Sequence, residues 1–199
     1  MTNRLFLLSF FTFFSTFTFA QKITVKVFMD EKPTSAQSDT IYYDFKRHLT
    51  WNDFAGKPDM KSSAGAIVSS GFAYYSDITA EDNQFEIVIG VYTFFTKHRS
   101  WKKPGINSPY HLLHEQRHFD ITRIGAEKLV NELKNARLSS SNYARVIDDI
   151  FLKVYRENRA LQQQYDNETV HSINVDKQNE WNNRIAGYLQ KIRQSTAAR

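Results

Sequence analysis

Residues 109–136 leave the fold little freedom. Ser108 suits a helix N-cap and Pro109 the first helical position. From there PYHLLHEQRHFDITRIGAEKLVNELKNA runs on with no glycine except Gly125 and no second proline. Phe119, Ala126, Val130 and Leu133 fall on one stripe of the predicted helix, and Leu113, Ile121, Ile124 and Leu129 widen the apolar arc. A helix apolar over so wide an arc is expected to be buried on more than one side. Whatever else the chain forms must pack around it.

The same helix carries the chemistry. His114 and His118, four residues apart in His114-Glu115-Gln116-Arg117-His118, share a helical face and can grip one Zn²⁺. Glu115 beside them can take a proton from the metal's water, as in HExxH zinc hydrolases. The chain has no cysteine and six histidines, so disulfides and thiolate sites are excluded and any metal must use His, Asp or Glu. His111 lies in the same short run.

The first twenty residues read as a leader rather than part of the fold. A cationic start precedes the Phe-rich run LFLLSFFTFFSTFTF, and Thr18-Phe19-Ala20 is an acceptable cleavage site. That run is shorter than the ~20 residues a membrane span needs, so export with cleavage before Gln21 is expected, without a stable membrane anchor. The remainder, 21–199, has the size of a single domain with a real core. The net charge of +5 is spread along the chain without a basic stripe interleaved with aromatics, which speaks against nucleic-acid binding.

Along the chain, residues 22–29 alternate as a strand, 30–40 form a loop, and a strand and a turn at Gly56-Lys57-Pro58-Asp59 follow. Residues 64–79 and 84–101 are β-rich and flank a polar break, which predicts an antiparallel hairpin. A second helix is expected over 142–164, a break over 165–174, and a last helix over 175–192. Strands first and helices second argue α+β: an antiparallel sheet packed against a helical layer that carries the HEQRH helix, a zincin-like arrangement.

Several signatures then coincide. They are Leu49-Thr50-Trp51-Asn52-Asp53-Phe54 with Gly56 and Pro58, Ser100-Trp101, Leu113 to Asp120, Tyr165 to His171, and Gln178 with Trp181. Together they resemble a bacterial family described as secreted zinc-dependent proteases, domain of unknown function 922. The resemblance covers residues from about 45 to 190 and implies a secreted or periplasmic zinc peptidase. Arg117 and Ser172 stand where small, glycine-like residues are expected.

A catalytic zinc needs three protein ligands and an open position. A third histidine six residues after His118 is missing, because that position is Ile124. Position 138, where a later glutamate ligand would fall, is Leu, and Glu132 and Glu157 are only loosely placed. His171, in the irregular segment between two helices, is therefore expected to complete the site, with Asp120 or a carboxylate of the second helix as the next candidates. Tyr165 is expected to stabilise the developing oxyanion and Glu168 to orient His171. Asp120 is expected to hydrogen-bond a nearby loop, Trp51 to pack, and His48, His98 and His111 to stand apart from the metal. The expected activity is hydrolysis of a peptide or protein substrate, with a strand before the HEQRH helix offering its edge to an extended chain. A zinc amidase or esterase acting on envelope material, and a non-catalytic envelope protein with a structural metal, are the alternatives.

Overall fold

The computed structural model describes residues 22–35, 37–81 and 83–197. The leader expected over 1–20 lies outside them. The strands are β1 (Lys22–Met29), β2 (Thr40–Tyr42), β3 (Ala66–Ile67), β4 (Ser70–Glu81), β5 (Gln84–Thr96) and β6 (Trp101–Lys102). Three helices follow: α1 (Pro109–Lys134), α2 (Tyr143–Thr169) and α3 (Val175–Ala197). The class is α+β.

The expected hairpin is β4–β5, in register from Glu81 opposite Gln84 to Ser70 opposite Phe95. The other edge of β5 carries two strands end to end. β1 runs parallel to it from Lys22↔Gln84 to Met29↔Val91, and β2 runs antiparallel at Thr40↔Thr96 to Tyr42↔Phe94. The sheet is therefore mixed, where a purely antiparallel one was expected. Alternation in KITVKVFM fixes which side chains face the core but not the direction in which an edge strand docks. Because β5 is flanked on both edges, it has none to offer a peptide. β3 and β6 form a separate two-stranded ribbon.

Ser108 caps α1, its hydroxyl accepting from the His111 backbone N–H at 3.1 Å. The wide apolar arc is used in full, since α1 contributes to every core cluster. Ala126, Leu129, Val130 and Leu133 pack with Ile87, Ile89 and Val91 of the sheet and with Ile147 and Val154 of α2. Phe119 packs with Ile41, Tyr43, Leu49, Phe54 and Phe95. Ile121 packs with Tyr165 of α2 and with Trp181 and Ile185 of α3. Fully burying side chains of this size stabilises by about 1.5–3 kcal/mol each.

Gly125 marks a close crossing. A Cβ there would stand 2.5 Å from Asn158 Nδ2 of α2 and 3.0 Å from the Phe72 ring of β4. The segment after β2 is pinned to α1 from the other side. Gln116 Oε1 accepts from Leu49 N at 2.7 Å, and Tyr43 donates to Asp120 Oδ1 at 3.0 Å. Trp51 packs on Phe54 at 4.9 Å between ring centroids, the packing role expected of it. Among the described residues no helix is long and apolar enough to cross a membrane.

Candidate metal centre

α2 runs five residues past its expected end, to Thr169. The polar run Tyr165-Asp166-Asn167-Glu168-Thr169, read as a break, is the last stretch of that helix. It lies antiparallel to the start of α1, and its polar side chains read α1 step by step. Asn158 Nδ2 donates to Ile121 O at 2.9 Å. Gln162 Nε2 donates to His118 O at 2.9 Å and to Thr122 Oγ1 at 3.1 Å. Asp166, one turn further on, reaches both imidazoles, its Oδ1 lying 3.2 Å from His114 Nε2 and 2.9 Å from His118 Nε2.

The protonation pattern follows from the neighbours. His118 O can only accept, so Gln162 must turn its amide nitrogen there and present Oε1 to His118 Nδ1, 2.6 Å away. The second chain is longer. Arg117 Nε donates to Asn182 Oδ1 at 3.1 Å, so that atom is an acceptor, and Gln178 Nε2 donates to it at 3.1 Å. Gln178 Oε1 is then left facing His114 Nδ1 at 2.9 Å. Both Nδ1 atoms therefore carry the proton, and both Nε2 atoms present lone pairs. Two lone pairs and a carboxylate oxygen point at one another. Asp166 Oδ1 is buried without a hydrogen-bond donor aimed at it, despite the short distances. A cation would satisfy all three, and the candidate ligand atoms of His114, His118 and Asp166 lie within 4.8 Å of one another.

Without a bound cation, the three groups compete for protons. Burial by itself would raise Asp166, but the imidazoles of His114 and His118 hold its carboxyl well below the usual carboxylate range. Burial opposes charge on His118, yet Asp166, Glu115 and Gln162 lift it above its ordinary value. Glu115 is buried beside them. Desolvation raises its carboxyl, with His118 and His114 pulling against that rise. A cleft of about 1220 Å³ opens over the group, and His111, His114, Glu115, His118, Asp166 and His171 all line it.

His171 stands outside the converging three. It is exposed on the rim, with Nδ1 3.5 Å from Asp166 Oδ1. It sits in a tight left-handed turn where Val170, His171 and Ser172 have φ of 49°, 50° and 72°. The turn is tied down by Tyr110, which donates to Ser172 O at 2.8 Å. A positive φ favours glycine, which accounts for the small residue expected at position 172. Asp166 thus occupies the place that the sequence reading gave to His171, because the segment before His171 continues as helix and not as a loop folding back.

Tyr165 does not line the cleft. It is fully buried, stacked on the His114 ring at 4.7 Å, and its hydroxyl accepts from Gln178 Nε2 at 2.6 Å. Burial pushes the phenol well above its ordinary range. It supports His114 from beneath and does not reach the cleft. Glu168 accepts from Trp181 Nε1 at 2.8 Å, tying α2 to α3 and not to His171. Asp120 accepts from Tyr43, Gln116 and Arg117, the anchoring role expected of it. His98 pairs with Asp39 away from His114, His118 and Asp166, while His111 faces the cleft with Nδ1 3.2 Å from Ser108 Oγ.

Residues 108–172 match the family of bacterial proteins of unknown function DUF922. The matched stretch begins at the cap of α1 and ends in the left-handed turn after α2. It therefore contains His114, Glu115, His118 and Asp166, and it supports the grouping reached from the motifs. No curated protein and no solved structure matches the chain.

Proposed function

We propose that the protein is an exported zinc-dependent hydrolase, a metallopeptidase of zincin-like build. In this reading His114, His118 and Asp166 hold Zn²⁺, and Glu115 is the general base. The observation that carries the reading is the meeting of two unprotonated imidazole nitrogens and an undonated carboxylate oxygen on the floor of an open cleft. Nitrogen and carboxylate donors suit zinc, and three protein ligands leave a position for water, as in catalytic sites. When bound, the metal would polarise the substrate carbonyl and bring a water's pKa to about 7.

The chain's own residues do the rest. Gln162 and Gln178 hold the imidazoles in the ligating tautomer, Asp166 supplies the negative charge, and His171 backs Asp166 from the solvent side. Glu115 accepts the water's proton and returns it to the leaving amine. At about 1220 Å³ the cleft exceeds the ~300–1,000 Å³ usual for small-molecule pockets, which favours a stretch of polymer as substrate. The open cleft also disfavours a purely structural metal, whose coordination would be closed.

Metal analysis of the purified protein should find stoichiometric zinc in wild type and none in His118→Ala. Wild type should digest casein or a peptide library, and Glu115→Gln should keep its zinc and lose activity by about 10²–10⁴-fold. Equal digestion by wild type and Glu115→Gln, or a metal-free wild type, would sink the reading. Export with removal of the leader leaves Gln21 as the first residue, which mass spectrometry of exported protein reads directly. An intact Met1 on membrane-held protein would overturn that part.

A further inference from the structure

The cationic side chains of α2 fall into two groups. Arg145 pairs with Asp149 at 3.1 Å and Lys153 with Glu132 at 2.9 Å, so these two are neutralised within the protein. Glu157, next to Arg156 in sequence, is taken by Lys128 at 3.2 Å. Arg156 and Arg159 have no ion pair among the described residues, and both open on the cleft. Among the described residues, the only carboxylates lining that cleft are Glu115 and Asp166, at the candidate metal centre itself. One wall of the cleft thus presents two unneutralised guanidinium groups, leading away from the centre along a rigid helix. The facing wall is built by residues 63–72, including the start of β4, whose outer edge pairs with no strand among the described residues.

We infer that the cleft takes an extended peptide bearing acidic side chains, with Arg156 and Arg159 as its specificity residues. The inference rests on the hydrolase reading above and names the substrate class. Arg159 and Arg156 lie seven and ten residues before Asp166 on α2, about 10 and 15 Å along the axis at 1.5 Å per residue. An extended peptide advances about 3.3 Å per residue, so the recognised carboxylates sit roughly three to five residues from the bond cut. Guanidinium groups suit this task, because each can meet a carboxylate with two parallel hydrogen bonds. A peptide is favoured over a nucleic acid. The charge is confined to one wall, whereas the other offers backbone of strand geometry.

The test separates binding from cleavage. Glu115→Gln protein loaded with zinc is titrated with two labelled ten-residue peptides, one neutral and one carrying glutamates on the same scaffold. The acidic peptide should bind about tenfold tighter at low salt and lose that advantage as salt rises. Arg156→Glu with Arg159→Glu should abolish the preference and leave the neutral peptide's affinity unchanged; Arg156→Gln with Arg159→Gln should give an intermediate result. Equal binding of the two peptides, or a preference that survives the charge swap, overturns the inference. So does tighter binding of heparin or a phosphate polymer at the same two arginines, which would assign the wall to another polyanion. Cleavage by wild type is scored separately. Cleavage without acidic preference defeats the inference alone, whereas acidic binding with no cleavage of any peptide defeats the hydrolase reading and leaves the specificity wall standing.

Discussion

Asp166 and His171 make different demands on the same space. Asp166 Oδ1 is buried against both α1 imidazoles, while His171 is largely exposed on a strained turn. Asp166→Asn should therefore abolish stoichiometric zinc binding, and His171→Ala should keep it with a loss of affinity no greater than about 10–100-fold, the usual effect of a supporting partner. Isothermal titration of both variants checks this, and the reverse order of effects would restore His171 as the ligand. Two of the three candidate ligands were legible because i, i+4 histidines on a predicted helix announce their shared face. Asp166 was not. Its segment, Tyr-Asp-Asn-Glu-Thr, has the composition of a turn. The signal that could have found it is the polar stripe Asn158, Gln162, Asp166, at i, i+4 and i+8 on one face of the same helix.

At the scale of elements, the α1–α2 crossing decides whether that stripe meets the histidines at all. Gly125 permits the approach. By helix propensity alone, Gly125→Ala would stabilise by about 1 kcal/mol. The added methyl instead meets Asn158 and the Phe72 ring, and overpacking of this kind costs about 1–3 kcal/mol. Urea unfolding should show a net loss, with zinc affinity reduced because α2 is pushed outward. A gain in stability would mean the crossing has slack. The spans of β1, the β4–β5 hairpin and α1 were readable from period, break residues and caps, since each depends on local sequence. The parallel docking of β1 and the late end of α2 were not. The first is a choice between two directions that present the same faces. The second follows from α3 and α1 supplying partners for polar groups that would otherwise favour a turn.

For the whole molecule, the candidate ligands bridge two helices from different parts of the chain, so binding and folding are coupled. Zinc at a hundredfold excess over Kd should stabilise by about 2.7 kcal/mol. For a protein of this size that corresponds to roughly 5–10 °C in Tm. Calorimetry with and without a chelator should show the shift in wild type and none in His118→Ala. Amide exchange should slow across α1 and α2 more than in β1. The central position of α1 has one more consequence. Phe119, Ile121 and Ala126 each belong to a different core cluster, so the buried face of the histidine-bearing helix cannot be altered without disturbing the packing of the rest. The exposed cleft-lining residues, such as Ser63, Ile67, Arg156 and Arg159, carry no such burden. Over evolutionary time the histidines of such a helix are inherited with the fold, and diversity can accumulate along the cleft that opens over them.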